Sequence, residues 1–137
     1  MRYSLFERHR DGFILIARLL LTMLFVMSGW GKLTHFDATV GYMASQGAPL
    51  PGVAAAVAVC VELLVSAALI LGFYTRPLAL LFALFVAGTA VIGHHYWTLT
   101  DPERSMNVTQ FYKNMSIIGG FLLLSVTGAG RYSLGRR

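Results

Sequence analysis

The sequence has few of the residues from which soluble enzymes and metal-binding domains are built. Only 12% of its 137 residues are charged, about half of the roughly 25% usual in soluble domains. A single cysteine, Cys60, excludes an internal disulfide, a CxxC pair and a cysteine-rich metal site. The sequence has no HxxxH or ExxH pattern and no motif for a flavin, a haem or an iron–sulfur cluster. We therefore expect no metal, no covalently bound cofactor and no catalysis by this chain alone.

Apolar residues are abundant, at 56% of the sequence. About 20 of them in a row suffice for a helix to cross the ~30 Å hydrocarbon layer of a membrane. Four runs of that order occur, at about 13–33, 53–73, 77–97 and 111–130. The first run carries Arg18 and lacks an Ala-x-Ala exit, so it is predicted to be a retained span rather than a signal peptide. The sequence predicts an all-α membrane protein, a single domain over 1–137 that forms a four-transmembrane-helix bundle.

The basic residues are distributed unequally between the two ends of these runs. One side has Arg2, Arg8, Arg10, Arg76, Arg131, Arg136 and Arg137. The other side has Lys32, Arg104 and Lys113. The positive-inside rule then places both termini in the cytoplasm, with the longer links 34–52 and 98–110 on the outer side. Because these charges flank apolar runs, the expected partner is the lipid bilayer and not nucleic acid.

Four polar residues within or beside the runs are candidates for a polar seam inside the bundle: Arg18, Glu62, Lys113 and Asn114. Ionisable side chains inside a span are costly and default to a functional hypothesis. Arg18 and Glu62 are predicted at depths about 9 Å apart, so a long arginine side chain could form an ion pair with Glu62. Such a pair would either fix the helix register or take part in ligand or proton binding. For Lys113, as for Lys32, the alternative is that the ammonium reaches the outer headgroups.

A second cluster is predicted at the outer ends of the first and third runs: Trp30, Lys32, His95 and Tyr96. A quinone head group needs hydrogen-bond donors for its carbonyl oxygens, aromatic or apolar walls and access from lipid, and these residues could supply them. A haem between His35 and another histidine, or a divalent metal at His95 with Asp101 or Glu103, fits less well because the spacings that define such sites are missing.

Several short motifs follow one another along the chain in this order: Arg18, Gly29-Trp30-Gly31-Lys32, Glu62, Gly72-Phe73 with Thr75-Arg76, Lys113-Asn114 and Gly128-Ala129-Gly130-Arg131-Tyr132-Ser133-Leu134. In this order and spacing the chain resembles the DoxX family, over residues 13–134. The resemblance implies a multi-pass protein of the bacterial inner membrane linked to membrane redox complexes. Relatives of the DoxD kind resemble a subunit of a thiosulfate:quinone oxidoreductase. Ala129 and Gly135 depart from the proline and aspartate usual in the family, which puts docking of the tail in doubt.

Three functions remain open at this point. The first is a membrane subunit or partner of a quinone-linked oxidoreductase complex. The second is a non-catalytic scaffold or assembly factor that recruits a protein partner through its loops. The third is a small transporter working as a homo-oligomer. One bundle of four helices offers little material for a transport path, and the sequence shows no inverted repeat.

Overall fold

The computed structural model describes residues 6–135, and within that range the chain is helical and contains no β-strand. Three long helices, Arg10–Thr34 (α1), Thr75–Gly93 (α5) and Glu103–Thr127 (α6), account for most of it. The second apolar run is divided into Pro51–Cys60 (α3), a π-helical turn at Val61–Val65 and Ser66–Leu71 (α4). A short helix, Phe36–Ser45 (α2), follows α1, and 3-10 turns lie at Glu7–His9 and Tyr96–Thr98. The predicted all-helical class is confirmed.

Within the described residues, three segments are long and apolar enough to cross a membrane: Glu7–Thr34, Pro51–Leu71 and Thr75–Thr98. Helix α6 has 25 residues, long enough to cross, but its first three turns are rich in polar side chains. Its composition therefore does not identify it as a span as clearly as the other three. Arg2, Arg136 and Arg137, on which the predicted orientation partly depends, lie outside the described residues.

The centre of the bundle is filled by aromatic rings from three helices. The ring centroids of Phe25 on α1 and Phe82 on α5 are 4.6 Å apart. Phe82 in turn stacks on Phe121 of α6, also at 4.6 Å. Small buried residues on α5, among them Ala79 and Ala83, allow neighbouring helices to approach closely. These contacts fix how α1, α5 and α6 lie relative to one another.

Two helix ends differ from the sequence prediction. Helix α5 ends at Gly93, before His94 and His95, which lie within the predicted apolar run 77–97. Helix α6 begins at Glu103 and not near residue 111, because a helix can continue beyond the apolar run when its extra turns are polar. An acidic residue in this first turn is favoured by the helix dipole. Lys113 and Asn114, near the start of the apolar run, therefore lie about three turns into α6.

The C-terminal segment, residues 128–135, folds back over the turn between α4 and α5. The backbone N–H of Leu134 donates to the carbonyl of Leu71 at 2.9 Å. Gly72 has φ +81°, and a Cβ atom there would lie 2.3 Å from Cβ of Ser133. Only glycine fits this close approach in the left-handed conformation. The C-terminal segment is therefore packed as part of the bundle.

Candidate functional site

A cavity of about 410 Å³ lies between α1, α2, α3, α5 and α6. Most of its wall is apolar, with side chains such as Phe25, Val57 and Phe85. Its polar lining includes Ser28, Lys32, Glu62, His94, Lys113 and Asn114. A concave, mostly apolar site with a few convergent polar groups is typical of small-molecule binding sites.

The charged part of the cavity is a pair formed by Lys32 of α1 and Glu62 of the π-helical turn. Nζ of Lys32 lies 3.0 Å from Oε2 and 3.2 Å from Oε1 of Glu62. The Ser28 hydroxyl donates to Oε1 at 3.3 Å and accepts a hydrogen bond from the Lys32 ammonium. The Glu62 side chain is only 6% exposed, whereas that of Lys32 is 26% exposed. The carboxylate is thus held in the interior, and the ammonium keeps part of its surface toward the cavity.

Gly29 brings α1 and the π-helical turn close enough for this pair to form. A Cβ atom at Gly29 would lie 2.9 Å from Cβ of Glu62 and 2.9 Å from Cγ of Leu63. Any larger side chain would separate the two backbones. A single turn of π-helix inside an α-helix is itself frequent at functional sites, and here it carries the buried carboxylate.

His94 contributes the imidazole of the cavity, at the point where α5 ends. Its Nδ1 lies 3.0 Å from the Oδ1 of Asn107 on α6. Because an amide oxygen can only accept, this bond requires the proton on Nδ1, which leaves Nε2 as an acceptor in the neutral ring. The sequence predicted His95, and not His94, as the histidine of the binding site. The signal it missed is the early end of α5, which turns the backbone between the two histidines.

The structure does not bring the predicted quinone cluster together. Of Trp30, Lys32, His95 and Tyr96, only Lys32 lines the cavity. Trp30 is 62% exposed on the outside of α1. His95 binds the Thr98 hydroxyl through Nδ1 at 2.6 Å. Tyr96 packs against the ring of Trp97 at 5.4 Å, apart from the cavity.

The prediction that Arg18 forms an ion pair with Glu62 is wrong. Arg18 is completely buried and donates from Nη1 to the carbonyl of Ala129 at 3.0 Å and from Nη2 to the carbonyl of Tyr132. Glu62 lies at the level of Gly29, eleven residues further along α1, which corresponds to about 16 Å. That distance exceeds the 9 Å on which the prediction depended. Arg18 therefore anchors the C-terminal segment, and Lys32 is the partner of Glu62.

The two seam residues of α6 have different surroundings. Asn114 is buried and lines the inner part of the cavity, whereas Lys113 is exposed at its rim and donates to Oε1 of Gln110 at 2.5 Å. Across residues 6–135, no three His, Cys, Asp or Glu side chains are grouped so that they could hold a metal ion. The chemistry available in the cavity is hydrogen-bond donation by Lys32 and Asn114, acceptance by His94 and proton exchange at Glu62.

The chain is similar in sequence to known inner-membrane proteins. Residues 13–95 match the family model described as DoxX. The chain is 49% identical to the inner membrane protein YphA of Escherichia coli over 137 residues, which cover 100% of this chain and 98% of that protein. It is 38% identical to the inner membrane protein YqjF of the same organism, over 95% of each chain.

A more distant similarity covers part of the chain. Over 64 residues it is 33% identical to the ER-derived vesicles protein ERV29 of Saccharomyces cerevisiae, a match to 47% of this chain and 21% of that protein. No solved structure matches the chain.

Proposed function

The chain belongs to the DoxX family and is an integral inner-membrane protein, and on that premise we propose that it binds a quinone head group in the cavity. In this role it is a membrane subunit or partner of a quinone-linked oxidoreductase complex. The observation that carries the proposal is the cavity itself, in which the partly exposed ammonium of Lys32 lies beside a buried carboxylate within otherwise apolar walls.

The size and chemistry of the cavity suit this ligand. Its volume of about 410 Å³ is within the range of small-molecule sites, roughly 300–1,000 Å³. The Lys32 ammonium and the Asn114 amide can donate hydrogen bonds to carbonyl oxygens, and Phe25 and Phe85 supply flat apolar contacts. The Nε2 atom of His94 can accept a hydrogen bond from a quinol hydroxyl.

The chain's own part in such a complex is binding and proton handling. Glu62 is positioned to accept or release a proton at its carboxylate, and Lys32 and Ser28 stabilise the charged form by hydrogen bonds. The electron source is a partner subunit, since the cofactors that carry out redox chemistry have no binding motif in this sequence.

We also propose that α6 is a fourth crossing and that both termini lie in the cytoplasm. Helix α6 packs along α5 and α1 through Phe121 in the aromatic centre of the bundle, and 25 residues extend about 37 Å, more than the hydrocarbon thickness. Four crossings place the cavity at the outer end of the bundle.

Quinone binding by purified protein tests the proposal. The full chain is purified in mild detergent, stripped of lipid and titrated with a soluble ubiquinone analogue. We expect saturable binding that Lys32→Gln weakens at least tenfold, since it removes a charge-assisted hydrogen bond of about 1.5–3 kcal/mol. The matched control Arg104→Gln removes a positive charge outside the cavity and should leave binding unchanged. Absence of binding, together with a co-purifying protein, would favour the scaffold function instead.

A further inference from the structure

A second candidate site lies at the other end of the bundle, around the start of α1. A polar pocket of about 520 Å³ is enclosed by the first turn of α1, the α4–α5 turn and the C-terminal segment. Next to it, an apolar groove of about 1160 Å³ runs between α1 and α6. The pocket and the groove share Arg10 and Thr127 in their walls. They form one continuous surface that is polar at its end and apolar along its length.

The pocket is electropositive. Among residues 6–135, three arginines line it, Arg10, Arg76 and Arg131, against the single carboxylate of Asp11. Asp11 lies 3.8 Å from Arg10, so it offsets only one of these charges. Arg76 uses Nη1 to hold the carbonyls of Ser125 and Val126 at the end of α6. The guanidinium groups thus surround a space suited to an anion.

A buried hydroxyl in the wall points to the same class of ligand. The Thr75 side chain is 5% exposed, lines the pocket, and its Oγ1 has no hydrogen-bond partner among the described residues. Buried polar groups are normally paired, and an exception calls for an explanation. Thr75 also begins α5, a helix of 19 residues whose N-terminal end favours negative charge. An oxyanion with several acceptor oxygens matches both features.

The groove has the dimensions and the surface of a site for a hydrocarbon chain. Its wall is almost entirely apolar from Phe13 to Leu24 on α1 and from Ile117 to Leu124 on α6. The small side chain of Ala17 leaves space between the two helices, whereas Gly120 lets Leu21 of α1 pack directly against α6. From Arg10 to Leu24 the groove extends about 21 Å along α1, more than half of the ~30 Å hydrocarbon layer. A soluble anion has no hydrocarbon chain that could occupy this groove.

We propose that the pocket and groove together bind one anionic phospholipid. Its phosphate lies among Arg10, Arg76 and Arg131, and one acyl chain lies in the groove between α1 and α6. The headgroup then also contacts the C-terminal segment, which Arg18 holds in place through the Ala129 and Tyr132 carbonyls. Bound lipid would therefore tie the C-terminal segment to the start of α1.

Native mass spectrometry of the full chain, stripped of lipid, tests this proposal. The protein is titrated with dioleoyl phosphatidylglycerol, dioleoyl phosphatidylcholine and inorganic phosphate in parallel. We expect one phosphatidylglycerol per chain, bound at least tenfold more tightly than phosphatidylcholine. The double variant Arg10→Gln/Arg131→Gln should lose roughly twenty-five-fold in affinity, at about five-fold for each arginine. Arg76 is left intact because it caps α6. Arg104→Gln, which removes one positive charge at the other end of the molecule, is the control for a loss of charge outside the pocket.

A second variant separates the acyl chain from the headgroup. Ala17→Phe fills the groove without touching the arginines, and its exposed position leaves folding intact, which a thermal melt checks. It should weaken phosphatidylglycerol binding while leaving any binding of inorganic phosphate unchanged. Equal binding of both lipids, or an Arg10→Gln/Arg131→Gln variant that binds like the Arg104→Gln control, would overturn the proposal. Displacement of the lipid by millimolar phosphate, with no effect of Ala17→Phe, would assign the pocket to a soluble anion instead.

Discussion

Glu62 is the residue on which the cavity depends most. Its carboxylate is almost fully buried, and burial of a charge in an apolar interior is unfavourable unless a partner compensates for it. Lys32 and Ser28 supply that compensation from one turn of α1. The same three groups offer a polar ligand its binding partners. The stability of the fold and the proposed ligand binding therefore depend on the same pair.

The energetic coupling of Lys32 and Glu62 can be measured by a double-mutant cycle. Lys32→Met and Glu62→Leu should each destabilise the protein by about 3 kcal/mol, because each leaves a charge without its partner. The double variant should recover most of this loss, since two apolar side chains can replace a buried ion pair at little cost. Thermal unfolding in detergent measures all four proteins. Additive losses in the double variant would show that the pair contributes no coupling.

The sequence located the important polar residues but not their partners. The helical spacing predicts one inward stripe on α1, formed by Arg18, Thr22, Phe25, Gly29 and Lys32. The first four are buried, whereas the side chain of Lys32 is 26% exposed. The pairing of Arg18 could not be predicted, because it depends on the depth at which two helices meet and on a C-terminal segment that folds back. His94 was missed for a similar reason, since the end of α5 lies four residues before the end of the apolar run.

At the scale of elements, the contact between α1 and the π-helical turn positions the site. A Cβ atom added at Gly29 would lie 2.9 Å from Cβ of Glu62, which is closer than van der Waals contact. A Cβ atom added at Gly31, two residues later, would have no neighbouring atom within 4 Å. The apolar pattern predicted a continuous second span. The structure instead interrupts this span with the π-helical turn at Val61–Val65, where it packs against α1.

Alanine at these two glycines should have opposite effects. Gly29→Ala should destabilise the protein by about 1–3 kcal/mol, because its Cβ would force α1 away from Glu62. It should also weaken quinone binding by displacing Lys32. Gly31→Ala is the matched control and should be neutral or stabilise by up to about 1 kcal/mol, as alanine favours the helix. Equal unfolding temperatures for the two variants would mean that the close approach at Gly29 is not required.

At the scale of the whole molecule, the two ends of the bundle differ in character. One end holds the cavity with Lys32, Glu62 and His94, and the other holds the arginine-lined pocket beside the C-terminal segment. Composition identifies three segments of the described chain as spans. The side of the membrane on which the C-terminal segment lies therefore depends on whether α6 also crosses. The direction of α6 therefore decides which compartment each end of the bundle faces.

Cysteine labelling in intact cells tests the proposed four crossings. In a Cys60→Ala background, single cysteines at Gly47 and Thr100 should react with a membrane-impermeant maleimide added outside. Cysteines at Tyr74 and Tyr132 should react only after the cells are opened. Labelling of Tyr132→Cys in intact cells would show that α6 does not cross and would contradict the proposed topology.

The most direct test of quinone binding in the cavity is photo-crosslinking with an azido-quinone, followed by peptide mass spectrometry. We expect the label to attach to cavity-lining residues of α1, α3 and α5, such as Phe25, Val57 and Phe85. Lys32→Gln should abolish this labelling, and Arg104→Gln should not. Label confined to the segment His95–Trp97 or to the groove between α1 and α6, unaffected by Lys32→Gln, would contradict quinone binding in the cavity.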